Sequence, residues 1–412
     1  MEKVLWVTNT QSKRESLPSL ALFAEKEVER VRRFHQSFLE YEPTPLRHLA
    51  HLSRTLGVGG VHVKDESYRF GLNAFKVLGG SYAIGSYIAK RLGVPIEQLP
   101  YDRLISQEVR AQLGELTFAS ATDGNHGRGV AWTARRLGQK SVIYMPKGSS
   151  QIRLENIRSA GAECSITEFN YDDAVRYTLQ QANRYGWVVV QDTAWEGYVE
   201  VPTWIMQGYT TLVAESLEQL NAQGIEKPTH VFVQGGVGAY AGAVQAFLTA
   251  KFGGEAAPKV IVVEPNKADC LYRSALAGDG KLRVVTGEMD TIMAGLACGE
   301  PNPMAWEILW KYSDMFISCP DYVAADGMRL LGNPLGDDAR VVSGESGAVT
   351  AGLLRAIMED EQLSGIREAL GLDHSSQVLL INTEGDTDPQ GYRRVVWDGA
   401  YTRYKQEGCL HV

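Results

Sequence analysis

The feature that most constrains this chain is an alternation of two periodicities. Five short runs are apolar and rich in β-branched residues: 141–146 (SVIYMP), 187–192 (WVVVQD), 229–234 (THVFVQ), 259–265 (KVIVVEP) and 377–383 (QVLLINT). A strand with one face in water alternates polar and apolar residues. A strand without that alternation is buried on both faces, as in a parallel sheet covered by helices. Helix-like stretches at 127–137, 172–185 and 208–222 lie between the runs. Strands alternating with helices specify α/β layers, in which ligands bind beyond the carboxyl ends of the strands. A chain of 412 residues also exceeds what one hydrophobic core usually holds, so two domains are expected. The smaller is placed at 86–199, around the strand–helix units near 141 and 187, inserted into a larger one formed by 1–85 and 200–412.

Charge and cysteine usage narrow the class. A net charge of −8 argues against a general nucleic-acid binder, which needs a basic surface, but leaves room for a local phosphate pocket. No run of about 18 uninterrupted apolar residues is present, so no membrane span is expected. The start, MEKVLWVTNTQSKRES, lacks the pattern of a signal peptide, which points to the cytoplasm. Cys164, Cys270, Cys298, Cys319 and Cys409 lack metal-ligand spacing. They read as idle cytosolic thiols, with Cys270 and Cys298 as one conceivable pair, and no metal site is expected.

Three clusters carry chemistry. The first, QGGVGAYAG at 234–242, follows a strand-like run and precedes a helical pattern. Glycines let backbone N–H groups approach an anion, and a helix N-terminus favours negative charge, so the guest is a phosphate. The same letters fit a dinucleotide turn, which leaves the cofactor open. In the second, 63–80, Lys76 sits between Phe75 and Val77. Desolvation there would lower its pKa and make a nucleophilic amine. In the third, FASATDGNHGRGVAW at 118–132, Ser120 and Thr122 could hold a carboxylate at a helix start, or Thr122 or Asp123 could simply cap the helix. A lone histidine such as His126 is more often structural.

In order and spacing, KDE…NAFK, the DGNHG loop and GGVGA resemble the fold-type II pyridoxal-phosphate (PLP) enzymes, which include threonine and serine dehydratases, cysteine synthase and the tryptophan synthase β subunit. MQGYTTLVAE, VVEP, GESGAV and TEGDTD echo the same family, and the resemblance spans roughly residues 40–390. Within it, RFGLNAFK, TDGNHGRGVAW, VQDTAWEGY, PTWIMQGY and IMAGLACGEPNP are most similar to the diaminopropionate ammonia-lyases.

The resemblance implies an α/β fold of two open, mostly parallel twisted sheets flanked by helices, with PLP in the cleft between domains. It implies that Lys76 carries PLP and that Gly235, Gly236, Val237, Gly238 and Ala239 hold its phosphate. Asn125 contacts the ring hydroxyl, and Thr383 stands near the ring nitrogen. The implied reaction turns D- or L-2,3-diaminopropionate into pyruvate and two ammonia, and the implied assembly is a homodimer. Asp123 and Asp192 fit a substrate with a second ammonium, because a carboxylate attracts it and would repel a plain amino acid's carboxylate. The expected roles are Lys76 as base for the L isomer, Asp123 as base for the D isomer, and Asp192 as the group that orients or protonates the distal amine. Ser120, Thr122, Asp123, Tyr171 and Asp192 are the expected substrate contacts. The alternatives are a serine/threonine dehydratase-type PLP lyase, a nicotinamide-dependent oxidoreductase that would leave Lys76 and DGNHG unexplained, and an inactive PLP-fold protein.

Overall fold

The computed structural model describes residues 2–11, 13 and 15–403. Its strands are β1 (Leu5–Thr8), β2 (Leu46–His48), β3 (Gly60–Asp65), β4 (Thr117–Ala121), β5 (Lys140–Met145), β6 (Glu163–Ile166), β7 (Val188–Val189), β8 (His230–Gln234), β9 (Lys259–Pro265), β10 (Met315–Cys319) and β11 (Gln377–Asn382). They form two open sheets, ordered β1-β10-β9-β8-β11-β3-β2 and β6-β5-β4-β7. All pairings are parallel except the two edges of the larger sheet, β1 on β10 and β2 on β3.

The unbroken apolar runs have the expected cause. Along β8, β9 and β11 the residues alternate between two cores. Val231, Val233, Val260, Val262, Leu379 and Ile381 face one, while Phe232, Ile261, Val263, Val378 and Leu380 face the other. Helices cover both faces, so neither can be polar.

One expected strand shortens and one strand forms where none was expected, each for a polar reason. The run 187–192 pairs as a strand only at Val188 and Val189. Beyond it the Val190 N–H still reaches the Ala119 carbonyl (2.8 Å), but the next bond to β4 comes from a side chain, Gln191 Oε1 accepting from the Ala121 N–H (2.9 Å). Gln191 thereby releases its backbone from the ladder and lets the chain turn at Asp192. Conversely, β3 reads as polar (GVHVKD) yet is buried along its whole length. Its Lys64 ends in an ion cluster, where Glu215 accepts from Lys64 Nζ (2.7 Å), Arg69 Nη1 (2.8 Å) and Nη2 (2.7 Å), Tyr41 Oη (2.8 Å) and the Thr44 N–H (3.2 Å).

The helix Val77–Leu92 starts directly after Lys76 and packs against both Glu200–Ala222 and Asn125–Arg136. The expected boundary at 85/86 therefore falls inside this helix, whose neighbours belong to both parts of the chain. Glycines allow the crossing. A Cβ on Gly208 would meet the Leu78 carbonyl oxygen and lie 2.7 Å from the Gly79 Cα. Gly208→Ala should lower the thermal midpoint. The helix would gain about 1 kcal/mol of propensity, but forcing two backbones apart costs about 1–3 kcal/mol or more. An unchanged or raised melting temperature would contradict this contact.

The cysteines Cys164, Cys270, Cys298 and Cys319 are buried free thiols, so Cys270 and Cys298 are not paired. Cys409 lies outside the described residues.

Candidate active site

The carboxyl end of β8 runs into the glycine turn, and the helix Ala239–Phe252 starts behind it with Gly238 at φ +92°, a left-handed conformation suited to glycine. Gly236, Val237, Gly238 and Ala239 line a cleft shared with Lys76, Asn125 and Asp192. Gly235 does not share that task. Its N–H donates to the Val263 carbonyl (2.8 Å), and a Cβ on it would stand 3.0 Å from both Glu264 Cγ and Val262 Cγ1. The Gly235 amide is thus spent on joining β8 to β9, while the four residues that follow face the cleft.

Lys76 reaches the same cleft from the start of its helix, and its Nζ donates to Asp192 Oδ2 at 2.8 Å. Asp192 is buried, and its Oδ1 also accepts from Tyr171 Oη (3.3 Å). The expected fall in the Lys76 pKa is reversed. Burial does oppose the ammonium, but Asp192, with smaller help from Tyr209 and Asp123, outweighs it and pushes the pKa up. For Asp192 burial pulls upward, and the Lys76 charge wins and holds it at about 2.

One residue ties these parts together. The Asn302 N–H donates to the Val237 carbonyl (2.7 Å), and its Nδ2 donates to the Asp192 carbonyl (2.9 Å). Its Oδ1 accepts from the Met304 N–H (2.9 Å) and so caps the helix Pro303–Tyr312.

The loop after β4 brings Asn125 into the lining of the cleft and Asp123 close behind it. Asp123 faces Gly295, where a Cβ would lie 3.6 Å from its Oδ2. Asn125 Nδ2 donates to Glu384 Oε2 (2.6 Å). Gly124 is the N-cap of the helix Asn125–Arg136, and the Thr122 hydroxyl oxygen two residues earlier accepts from the Gly124 (2.9 Å) and Gly127 (3.1 Å) N–H groups. Ser120 Oγ donates to Gln191 Oε1 (3.0 Å) in the buried part of the sheet. These two hydroxyls are used to shape the loop, so the structure brings Lys76, Asp123, Asn125, Asp192, Tyr171 and Thr383 together and leaves Ser120 and Thr122 in support. Tyr171 also accepts from Gln191 Nε2 (2.8 Å), and its hydroxyl is held inside. His126 is structural, with Nε2 on the Val190 carbonyl (2.8 Å).

Glu384, Ser346, Leu296, Cys298 and Tyr240 line the cleft and were not assigned from sequence. The GESGAV and TEGDTD motifs signalled the first two without giving them a role. The Oγ of Ser346, Oε1 of Gln234 and Oη of Tyr240 are buried without a hydrogen-bond partner among the described residues. Such groups are costly unless a ligand or water meets them. With the glycine turn and a partly buried lysine amine, they fit an aldehyde cofactor with a phosphate and a polar ring.

Comparison with known proteins agrees with this geometry. The family model described as pyridoxal-phosphate dependent enzyme matches residues 38–368. A diaminopropionate ammonia-lyase of Escherichia coli K12 is 53% identical over 381 residues, 92% of this chain and 94% of that protein. A crystal structure of the Escherichia coli enzyme in complex with D-serine superposes with a TM-score of 0.90 at 50% identity, covering 97% of this chain and 98% of that one. Another, in complex with an aminoacrylate-PLP azomethine reaction intermediate, gives 0.88 at the same identity and coverage. The identity over nearly the whole of both chains and the match to the family model show that the chain belongs to the pyridoxal-phosphate dependent enzymes, among the diaminopropionate ammonia-lyases.

Proposed function

We propose that this protein eliminates ammonia from both enantiomers of 2,3-diaminopropionate, giving pyruvate and two ammonia. The observation that carries the substrate assignment is the Lys76–Asp192 pair at 2.8 Å, with Asp123 close enough to act on the same ammonium. A carboxylate that holds one ammonium is suited to hold another, and the β-carbon of this substrate carries one. The hydroxyl of serine or threonine would gain nothing comparable there.

Lys76 would hold PLP, the backbone of Gly236–Ala239 its phosphate, Asn125 its ring hydroxyl and Thr383 its ring nitrogen. The chemistry supplied by bound PLP is an aldehyde for the α-amine and a ring that accepts the electron pair left at Cα. The chain's own residues do the rest. Lys76 removes the Cα proton from the L isomer and Asp123 removes it from the D isomer. Asp192 orients the departing β-ammonium, and Tyr171 keeps the Asp192 carboxylate in its aim through Oδ1. Ser120 and Thr122 hold the loop on which Asp123 is carried. The same proposal includes a homodimer in the cytoplasm and the division into 1–85 with 200–412 around 86–199, with the helix Val77–Leu92 bridging the first boundary. No helix among the described residues is long and apolar enough to cross a membrane.

The test is an ammonia and pyruvate assay on both isomers beside serine and threonine, repeated with Asp123→Asn. The variant should lose about 10²- to 10⁴-fold in kcat on the D isomer, the usual worth of a positioned base, and keep most of its rate on the L isomer. Full D activity would remove Asp123 from the role. A preference for serine or threonine over diaminopropionate would return the chain to the dehydratase type.

A further inference from the structure

The helix Gln151–Ala160 follows β5 and is capped by Ser150, whose Oγ accepts from the Arg153 N–H (3.3 Å). That cap sets Arg153 in the first turn, pointing back toward the Asp123 loop. The aliphatic stem of Arg153 lies against Gly124, where a Cβ would come within 3.2 Å of its Cδ. Its guanidinium stands between two carboxylates, Nη1 at 3.7 Å from Asp123 Oδ2 and Nη2 at 3.7 Å from Glu345 Oε2. Asp123 belongs to the segment after β4, while Glu345 begins the helix Glu345–Glu359 on the larger sheet. The guanidinium is thus shared between the segment after β4 and the helix after 344, one from each sheet's side.

We propose that Arg153 is a positioning residue for the D isomer, with Glu345 as its counterweight: the guanidinium fixes the aim of the Asp123 carboxylate, and Glu345 competes for it. This inference rests on the reading of Asp123 as the D-isomer base. It adds a residue that touches neither substrate nor cofactor and acts through Asp123 alone. The charges around each group are consistent with it. Facing Asp123 are Arg153, Lys76, His126, Tyr171 and Cys298. Arg153 and Lys76 are the groups that carry positive charge throughout the neutral range, since burial depresses His126. Facing Arg153 are Glu384, Asp123, Glu345 and Asp388, which together outweigh the burial that opposes its charge. Glu345 titrates near neutrality: burial raises it, Arg153 lowers it and Glu384 raises it again, leaving it at about 7. Below that pH Glu345 gains a proton and the guanidinium is left to Asp123. Above it the two carboxylates compete.

The experiment uses the PLP-loaded enzyme and measures kcat and KM for D- and L-diaminopropionate across pH, for wild type, Arg153→Gln, Arg153→Lys, Glu345→Gln and Asp123→Asn. Arg153→Gln should lower kcat on the D isomer by about tenfold or more, as small misplacements of reacting groups do, and move the acid limb of the D profile to higher pH. Its L-isomer kcat should stay within about threefold of wild type, since that proton goes to another base. Arg153→Lys should recover part of the D rate. Glu345→Gln should leave the acid limb of the D profile in place and raise the D-isomer kcat above about pH 7, where the wild-type Glu345 is charged and competes for the guanidinium. Equal losses on both isomers, or an unchanged D profile in both Arg153→Gln and Glu345→Gln, would overturn the inference. Asp123→Asn separates the two levels. If it spares D activity, the underlying reading of Asp123 fails. If it abolishes D activity while the Arg153 variants behave as wild type, only the role of Arg153 fails.

Discussion

Lys76→Ala should abolish ammonia release from either isomer, by at least about 10⁴-fold, because it removes both the tether for the cofactor and a base. The informative companion is Lys76→Arg. A guanidinium keeps a positive charge beside Asp192, which is buried and held at about 2 by the Lys76 charge after burial has pulled the other way. Lys76→Arg should therefore melt close to wild type, whereas Lys76→Ala leaves the Asp192 carboxylate without its cation and should be less stable. Both should lack the visible absorption of the wild-type holoenzyme, which borohydride should bleach in the wild type. An alanine variant that stayed yellow and released ammonia would remove Lys76 from the centre of the mechanism.

The second large effect is structural. Glu215→Gln should destabilise the fold by about 3–5 kcal/mol, since breaking a buried ion pair leaves a charge without compensation. Glu215 is buried with Lys64 and Arg69, which are themselves fully covered. Replacing its carboxylate leaves two cations facing a neutral amide and Glu66. Burial raises the Glu215 pKa, but Arg69 and then Lys64 pull it down to about 2, below its ordinary 4.5. A carboxyl with a depressed folded pKa contributes stability that is present above its unfolded value and is lost as pH falls through the folded one. The gap in melting temperature between wild type and Glu215→Gln should therefore be full above about pH 5 and shrink as pH approaches about 2. A gap that is constant with pH, or absent at neutrality, would mean that the cluster is solvated in solution.

What the sequence disclosed follows from physical range. The runs 259–265 and 377–383 were legible because a strand buried on both faces needs only local hydrophobicity. β3 was not legible as an interior strand, because its Lys64 and Asp65 look exposed until the partners arrive, and Glu215 lies 151 residues from Lys64. The run 187–192 was read as too long a strand because nothing local shows that the Gln191 side chain takes over the ladder. The glycine turn announced a phosphate, but not that Gly235 spends its N–H on β9. The lysine's neighbours in sequence, Phe75 and Val77, pointed to a lowered pKa. Its neighbour in space, Asp192, decides the opposite. Glu384 and Ser346 sat in recognised motifs, yet their part in the cleft depends on Asn125 and Gly295 arriving from elsewhere.

Asn302 has a wider meaning for how this catalyst can vary. Its backbone fastens the Val237 carbonyl and its side chain fastens the Asp192 carbonyl, so one residue anchors the anchorage of the coenzyme and the placement of the acid. The two ties differ in kind: the bond to Val237 comes from the backbone and survives any side chain but proline, whereas the bond to Asp192 belongs to the amide alone. Exchange of residue 302 should therefore loosen the acid while the glycine turn stays fastened.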